Sequence, residues 1–301
     1  MIPRILGKTG LHISPLGYGA AGMDADRAVA GRLLNTALDA GITIIDTAEC
    51  YHHSEASIGE SIGHRRSEYV ICTKFGHCGS EDAKLPFEDW DPRMIAPSLE
   101  RSLKRLRTDC VDLLQIHSPP HDRLIDGSLI EPLKAMKKSG KCRFIGFSGD
   151  SESALWAVRS EHFDVLQCSI SIADQEGVLF AAEAQARGIG VLAKRPIANA
   201  HWASTPTSAP NDFRDYRRRL QMLDYPFLKG PAAGSTALRF TLSVPGIVTA
   251  LVHTSKIERL LENVATASAG PLASAEYQAI RERWNQVAKP DWVGRIWDGQ
   301  P

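Results

Sequence analysis

The chain contains 301 residues, 43% of them hydrophobic, which is enough to bury a large core as two ordinary domains or as one α/β barrel. Lysine plus arginine and aspartate plus glutamate number 35 each, so the formal net charge is zero. This balance argues against a nucleic-acid partner or a polybasic membrane surface and favours a small-molecule partner.

The positions of the cysteines indicate the cellular compartment in which the protein is expected. Most of the 6 cysteines lie in or beside apolar runs rather than in a paired framework. The N-terminal segment MIPRILGKTG has no apolar signal core, and no stretch approaches the roughly 18 uninterrupted apolar residues of a membrane span. We therefore expect a reducing, cytoplasmic location and no membrane partner.

Short apolar runs alternate along the chain with longer segments of helical period. The runs predict strands at residues 16–20, 42–46, 69–73, 111–117, 143–148, 164–168, 190–194 and 247–252. The other segments predict helices at residues 26–41, 94–107, 129–140, 151–160, 175–188, 235–244 and 256–267, and a further helix start near residues 54–55. Asp26 is the predicted cap of the first helix, and Gly41, Gly140 and Gly188 are predicted helix stops.

The repeat of strand and helix predicts the architecture. Eight such units, with no Pro/Ser/Gly linker between two halves, predict a single (β/α)8 TIM barrel domain over residues 1–301, with an N-terminal β-hairpin at residues 7–14. Residues 203–231 depart most from the repeat, so we expect a loop and an extra helix beside the site there. Residues 289–301 are predicted to form a C-terminal tail.

A Rossmann fold is the alternative interpretation. Gly17, Gly19 and Gly22 spell the dinucleotide fingerprint GxGxxG, and Asp46 ends the next strand as a ribose-binding acid would. However, the preceding segment HISPL contains Pro15 and polar groups, where a Rossmann unit has about five buried apolar residues. Because this hypothesis leaves the other strand ends unexplained, the barrel is favoured.

Polar side chains follow three of the predicted strands. Asp46 and Tyr51 follow the second, Lys74 follows the third, and His117 ends the fourth. In a parallel barrel the carboxyl ends of all strands open onto one face, so we expect these four residues to be neighbours. Any one of them alone is equally well interpreted as a capping or solvated loop residue; together they favour a site.

The four residue types suit the reduction of a carbonyl group. A tyrosine with a reference pKa of ~10 is a poor acid at neutral pH, but an adjacent ammonium stabilises the phenolate. Lys74 would supply that charge, Asp46 would hold the ammonium, and His117 would orient the substrate oxygen. Tyr51 is then the acid, and because no side chain delivers hydride, a nicotinamide cofactor is expected across the same face.

Most of the chain resembles the aldo-keto reductases, which are NAD(P)H-dependent oxidoreductases built on a (β/α)8 barrel. The resemblance is carried by LGKTGLHISPLGYGAAGM, GITIIDTAECYHHSE, ICTKFG, RSLKRLRTDCVDLLQIHSP, RFIGFS, VLQCS and LVHTSKIERLLENV. It implies that Asp46, Tyr51, Lys74 and His117 form the family's catalytic tetrad.

The resemblance also implies cofactor contacts. Ser148 and Gln167 match the ligands of the nicotinamide carboxamide. A second group matches the contacts of the adenosine phosphate and adenine, namely Ser255, Lys256, Arg259, Glu262 and Asn263. The cations of this group favour NADP(H), with NAD(H) as the alternative.

Two departures from the family pattern bear on cofactor binding. Gly149 stands where the family usually has asparagine, which removes one amide ligand of the carboxamide. Lys194 and Arg195 stand where many relatives place a ring that stacks on the nicotinamide. We expect this cationic pair to hold the cofactor pyrophosphate or an acidic substrate, or to lie against the ring; the alternative is a solvated surface pair.

We therefore predict a carbonyl and alcohol oxidoreductase, with an aldehyde, ketone or sugar as the carbonyl substrate. Sugar or alcohol oxidation is equally compatible with the four residues, because the same groups catalyse both directions. A cofactor-binding sensor or accessory subunit with little turnover is the alternative.

Some further residues near the site admit other interpretations. Four residues are of the types that bind zinc, namely His52, His53, His77 and Cys78. They lack the spacing of a known zinc motif, so no metal is expected. Cys50 is interpreted as a packing residue. Four tryptophans either line the substrate pocket or pack in the core, namely Trp90, Trp202, Trp292 and Trp297.

Overall fold

A computed structural model describes residues 1–23, 26–77, 85–203 and 214–292. Its strands are β1 (Arg4–Ile5), β2 (His12–Ile13), β3 (Leu16–Gly19), β4 (Ile44–Asp46), β5 (Val70–Phe75), β6 (Val111–His117), β7 (Cys142–Ser148), β8 (Val165–Ser169), β9 (Gly190–Lys194) and β10 (Ile247–Val252). Strands β3 to β10 are parallel and close into a barrel, because β10 pairs with both β9 and β3. The strands β1 and β2 form an antiparallel hairpin.

Helices connect the barrel strands, and two more follow the last strand. They are α1 (Arg27–Asp39), α2 (Ser54–Ile62), α3 (Ile95–Leu106), α4 (His121–Ile125), α5 (Ile130–Lys138), α6 (Ser151–Arg159), α7 (Gly177–Ala186), α8 (Arg214–Leu223), α9 (Ala233–Ser243), α10 (Ile257–Ser268) and α11 (Ser274–Val287). Among the described residues, no helix has the length and apolar character that crossing a membrane requires.

The inside of the barrel is apolar at one end and polar at the other. Because alternate strand residues point inward, each strand contributes a ladder of interior side chains. The apolar ladder positions include Ile44, Val70 and Leu113, and they pack against Leu6 and Ile13 of the hairpin region. The hairpin thus closes the end where the strands begin, and leaves the carboxyl ends open for polar groups.

The predicted (β/α)8 barrel and the hairpin are confirmed. All of the predicted strands and helices are present, with ends shifted by a few residues. Asp26 caps α1 by accepting a hydrogen bond from the Ala28 amide at 2.8 Å, and Gly41 adopts the positive φ of 83° that favours glycine at a helix stop. The helices α4 and α11 were not predicted from the sequence.

The Rossmann alternative is wrong. The fingerprint glycines Gly17 and Gly19 lie within the barrel strand β3 rather than in a phosphate loop. A Cβ at Gly17 would lie 2.7 Å from Leu251 Cδ2, so the missing side chain serves packing inside the barrel. Packing within the barrel therefore explains Gly17, and Asp46 pairs with a lysine, as described below.

Three predictions concern regions that are only partly described. The extra helix expected within residues 203–231 is present as α8, with a 3-10 turn at Pro226–Lys229 after it. Cys78 and Trp297 lie outside the described residues, as does most of the expected tail at 289–301. The assignment of the whole chain to one domain stays a prediction.

Helices α2 and α3 approach each other closely at Gly59. A Cβ at this position would lie 2.2 Å from the Arg105 carbonyl oxygen and 2.7 Å from the Leu106 carbonyl carbon. Both contacts are with backbone, which cannot rotate away as a side chain can. The contact therefore requires glycine within α2.

We expect Gly59→Ala to lower the free energy of unfolding by about 1–3 kcal/mol, because the added methyl group forces the two helices apart. Urea denaturation followed by circular dichroism measures the change. Gly234→Ala in α9 is the matched control, since no heavy atom lies within 4 Å of its Cβ position. It is expected to leave stability unchanged or raise it by up to about 1 kcal/mol. Equal stability of the two variants would contradict the packing argument.

Candidate active site

The register of the strands brings the predicted site residues together at the barrel mouth. His117 at the end of β6 is paired with Ser148 of β7, and Ser148 is paired with Gln167 of β8. On the other side, Lys74 of β5 is paired with Gln115 of β6. Because these positions share the inward phase of their strands, their side chains form a polar layer above the apolar interior.

A buried ion pair lies in this layer. The Lys74 ammonium donates to Asp46 Oδ2 at 2.7 Å and to the Thr47 carbonyl at 2.8 Å. The Lys74 side chain is only 1% exposed. Burial by itself lowers the pKa of Lys74, but Asp46 and Tyr51 oppose this effect and raise it to about 12. The ammonium therefore stays charged at neutral pH.

The second oxygen of Asp46 connects the ion pair to other strands. Gln167 Nε2 donates to Asp46 Oδ1 at 2.8 Å, and Gln115 Nε2 lies 3.4 Å from the same oxygen. Ser148 donates its hydroxyl to Gln167 Oε1 at 2.9 Å. The two predicted carboxamide ligands are thus neighbours, and one of them touches the carboxylate that holds Lys74.

Tyr51 lies beside this charge. The Lys74 ammonium is 5.2 Å from the centre of the Tyr51 ring, and the His117 ring stands edge-on to it with centroids 5.6 Å apart. The structure therefore brings all four predicted tetrad residues together.

The loop that carries Tyr51 is fixed to α3 by charged groups. Glu49 is buried, and its Oε1 lies 2.5 Å from Arg101 and 3.1 Å from Arg105. Arg105 also donates to the Glu49 carbonyl at 3.1 Å. Because a buried carboxylate needs such partners, these arginines hold the loop in position. No local motif in the sequence predicts these contacts between Glu49 and the arginines of α3.

The pKa of Tyr51 differs from the sequence-based expectation. Lys74 lowers it, as expected, but burial has the larger effect and raises the pKa above its ordinary value. Asp46 adds to the increase. The phenol therefore stays protonated at neutral pH, and the expected shift toward the working range is wrong. A buried ammonium offsets only part of the cost of burying a phenolate.

His117 is a neutral imidazole at neutral pH. Burial lowers its pKa well below the ordinary value, and the positive charge of Lys74 adds to this effect. Its Nδ1 lies 3.5 Å from the Cys50 thiol, and the Trp90 indole donates to the His117 carbonyl at 2.9 Å. A neutral ring offers one N–H donor and one acceptor, which suits it to orient a substrate oxygen. Trp90 is thus placed at the site.

Lys194 and Arg195 are not a solvated pair. Their side chains are 15% and 22% exposed, and they lie 3.1 and 3.5 Å from the Asp150 carboxylate. Arg195 also donates to the Ser169 hydroxyl at 2.6 Å. The alternative of a solvated surface pair is therefore wrong. Since one carboxylate faces two cations, this group keeps a positive charge near the mouth.

Gly149 has a packing explanation. A Cβ at this position would lie 2.4 Å from Phe147 Cζ, and the Phe147 ring is completely buried against Phe163. The bulk of Phe147 therefore requires glycine at 149, and the family's asparagine would not fit here without repacking this aromatic pair.

The predicted adenosine-phosphate contacts lie at the start of α10. Ser255, Lys256 and Arg259 are exposed there, and α10 begins one residue after Lys256. Arg259 donates to Glu262 at 2.6 Å. Asn263 follows on the same helix and is half-buried. The amide and hydroxyl groups of the mouth and the cations of a helix start are the donors that a dinucleotide needs at its two ends.

Three groups near the mouth were missed or dismissed from sequence. Gln115 has a sequence signal, because it shares the inward phase of β6 with His117 in VDLLQIH. Cys50 and His77 carry no such signal, and they join His117 only through the fold.

Two of the tryptophans contribute to core packing. Trp292 and Trp202 pack against the core, and Trp292 contacts Trp284 with ring centroids 5.5 Å apart.

A second buried carboxylate, Asp174, lies on the loop after β8. Tyr216 of α8 donates to it at 2.7 Å, and Arg219 lies 3.9 Å away. Burial raises the pKa of Asp174 to about 7, with a further increase from Asp150. Helix α8 is thus joined to the β8 loop by a carboxyl that is largely protonated below neutral pH.

The chain resembles known proteins over most of its length. The family model described as Aldo/keto reductase family matches residues 15–285. The chain is 26% identical to the uncharacterized oxidoreductase YqkF of Bacillus subtilis, over 95% of this chain and 97% of that protein. It is 28% identical to L-galactose dehydrogenase of Arabidopsis thaliana, over 88% of each. It is also similar to the holo form of aldo-keto reductase AKR11C1 from Bacillus halodurans, with a TM-score of 0.81 and 26% identity, covering 97% of this chain and 99% of that one.

The Asp174 carboxyl predicts a pH-dependent stability. Its folded pKa of about 7 lies above the unfolded value of ~3.9, so the folded chain keeps the Asp174 proton to a higher pH than the unfolded chain does. The contribution of this carboxyl to stability is therefore largest at low pH. Between about pH 4 and 7 this contribution is lost as pH rises, by at most about 1.4 kcal/mol per pH unit.

Asp174→Asn should therefore lose less stability than the wild type across this pH range, as measured by urea denaturation at several pH values. Asp109→Asn, which removes an exposed carboxylate, controls for net charge. Identical pH slopes for the wild type and Asp174→Asn would contradict the elevated pKa.

Proposed function

The chain belongs to the aldo/keto reductase family, and we propose that it is an NADP(H)-dependent oxidoreductase that interconverts a carbonyl and the corresponding alcohol. The carbonyl is an aldehyde, a ketone or a sugar. The observation that carries the proposal is the position of Tyr51, whose ring lies 5.2 Å from the buried Lys74 ammonium.

Tyr51 is the general acid of carbonyl reduction in this proposal. Its phenol is protonated at neutral pH because burial raises its pKa, so the proton is available for the substrate oxygen. Lys74 stabilises the phenolate that remains after proton transfer. His117, as a neutral imidazole, hydrogen-bonds the substrate oxygen and orients it toward Tyr51. In alcohol oxidation the phenolate of Tyr51 accepts the proton.

Asp46 acts by position. It holds the Lys74 ammonium at 2.7 Å and accepts from Gln167 at 2.8 Å, so it fixes both the charge beside Tyr51 and one proposed ligand of the carboxamide. Loss of Asp46 would leave a buried cation without its main partner, which costs several kcal/mol. The charge beside the proton donor Tyr51 and the position of the proposed carboxamide ligand Gln167 therefore both depend on the Asp46 carboxylate.

A nicotinamide dinucleotide fits the donor groups of the chain. Ser148 and Gln167 present a hydroxyl and an amide at the mouth, where a carboxamide would be held. When bound, the nicotinamide supplies or accepts the hydride that no side chain can transfer. Lys194 and Arg195 keep a net positive charge nearby, which supports a further contact with an anionic part of the cofactor or of the substrate.

The start of α10 supports a preference for NADP(H) over NAD(H). The free N–H groups and the dipole of a helix start favour a phosphate. Ser255, Lys256 and Arg259 are exposed there and add a hydroxyl and two cations, while Glu262 and Asn263 are placed for the adenine. Because Glu262 engages Arg259 at 2.6 Å, binding of a 2′-phosphate would compete with this exposed ion pair.

The substrate class rests on less specific features. A relative named L-galactose dehydrogenase supports a sugar among the proposed substrates, and oxidation as one direction. The five cysteines within the described residues are free, which agrees with a reducing cytoplasm as the proposed location. The alternative of a cofactor-binding sensor with little turnover predicts tight NADPH binding without its oxidation by any aldehyde in a broad panel.

Tyr51→Phe is expected to lower turnover by roughly 10²-fold or more, because it removes the positioned acid and keeps the ring. The affinity for NADPH, measured by fluorescence titration, should remain within about twofold of the wild-type value, since the hydroxyl is not a proposed cofactor ligand.

Tyr69→Phe is the matched control, because Tyr69 precedes β5 at the opposite end of the barrel. It should retain the turnover of the wild type. A Tyr51→Phe variant with undiminished turnover would show that another group donates the proton.

Lys256→Ala and Arg259→Ala are each expected to weaken NADPH binding by about 1–3 kcal/mol, the scale of a charge-assisted hydrogen bond. NADH lacks the 2′-phosphate, so its affinity should change much less. Titration of both cofactors into the wild type and both variants measures the difference.

Lys229→Ala removes an exposed cation that pairs with Asp224 and serves as the control for net charge. It should leave both affinities unchanged. Equal losses for NADPH and NADH, or a wild-type preference for NADH, would reject the phosphate contacts.

A further inference from the structure

A second cluster of chemically reactive side chains lies next to the proposed tetrad. Cys50, His77 and His117 each offer one ligand atom, and the three atoms lie within 4.8 Å of one another. The Cys50 thiol is 3.5 Å from His117 Nδ1, and the rings of His77 and His117 meet edge to face with centroids 5.1 Å apart. All three residues are half-buried, so the cluster is accessible to a small ion.

The residue types and the spacing suit a zinc-like ion. A thiolate and two imidazoles are preferred ligands of Zn²⁺, and distances of ~2.3 Å to sulfur and ~2.0 Å to nitrogen place two tetrahedral ligand atoms about 3.5 Å apart. This equals the separation of the Cys50 and His117 atoms. His77 must approach by no more than roughly 1.5 Å to complete a three-ligand site.

The surroundings of His77 support the same conclusion. His77 Nδ1 lies 3.0 Å from Asp89 Oδ2, so the carboxylate fixes the proton on Nδ1 and leaves Nε2 as an acceptor. A carboxylate behind a histidine is the usual outer contact of a metal-binding imidazole. Trp90 packs edge-on against His77 at 5.0 Å, which restricts the ring.

We propose that Cys50, His77 and His117 form a binding site for a divalent, thiol-preferring metal ion such as Zn²⁺, and that its occupation inhibits the enzyme. On binding, the Cys50 thiol releases one proton to solvent and forms the metal–sulfur bond; no electron is transferred. The sequence-based expectation of no metal rested on a different set that included His52, His53 and Cys78.

Inhibition follows because His117 belongs to both sites. A metal ion held on this imidazole removes one of its nitrogens from hydrogen bonding, and it draws His77 toward the mouth. The inhibitory effect rests on the proposed function, whereas metal binding does not.

Titration with Co²⁺ tests the binding site directly. A cobalt–thiolate bond gives a charge-transfer absorption, so we expect this band in the wild type and its loss in Cys50→Ser. His77→Gln should weaken Co²⁺ binding by about 100-fold, and Asp89→Asn by roughly 10–100-fold, the scale of an outer-contact mutation. Zn²⁺ should displace Co²⁺ from the wild type.

His53→Gln is the matched control, because it removes an exposed histidine from the same loop outside the cluster. Its Co²⁺ affinity should equal the wild-type value. A band that persists in Cys50→Ser, no band in the wild type, or equal affinities for His77→Gln and His53→Gln would overturn the site.

Inhibition is tested by turnover at increasing Zn²⁺ concentration. The wild type should lose activity, and His77→Gln, measured relative to its own turnover without zinc, should require at least about tenfold more Zn²⁺ for the same fractional loss. Equal sensitivity of the two proteins would overturn the inhibitory role. The cobalt spectrum requires no turnover, so a failure of the proposed function leaves the binding test intact.

Discussion

The buried ion pair between Lys74 and Asp46 is the constraint on which the rest of the site depends. A charge that is 1% exposed is tolerated only when its partner and further hydrogen bonds compensate its desolvation. The pair meets this requirement through the Thr47 carbonyl on one side and the side-chain amide of Gln167 on the other. The Lys74–Asp46 pair therefore holds in place polar groups that come from four strands and one loop.

The same pair sets the electrostatics of the mouth, but burial decides the net result. Lys74 lowers the pKa of Tyr51, and burial raises it by more, so the phenol remains an acid in the resting chain. Lys74 and burial act in the same direction on His117, which is therefore neutral. The ammonium thus favours the phenolate of Tyr51 and the neutral form of His117, because the two groups carry opposite charges when ionised, and it is burial that keeps the phenol protonated.

Packing and chemistry are divided between the two ends of the barrel. The apolar interior and the hairpin close one end, while the polar layer occupies the other, and glycines stand where the strands or helices come closest. At Gly149 the constraint is a side chain instead, since the buried Phe147 ring leaves no space for a Cβ. The departure from the family pattern is thus a consequence of local packing.

The proposed metal ligands Cys50 and His77 lie at the border of the polar layer, where His117 connects them to Tyr51.

The sequence by itself determined the strand and helix repeat, the cap at Asp26 and the four tetrad candidates. These features are encoded locally, by hydrophobic period, by capping residues and by polar residues at strand ends. Only the tertiary structure decided that Gln115 and Gln167 share Asp46, that Asp150 neutralises part of the Lys194 and Arg195 charge, and that Cys50 and His77 meet His117. Closure of the barrel sets these contacts, because it fixes the stagger between strands that are distant in sequence. The direction of the Tyr51 pKa also required the fold, since the cost of burial depends on how many groups surround the phenol and not on its neighbours in the chain.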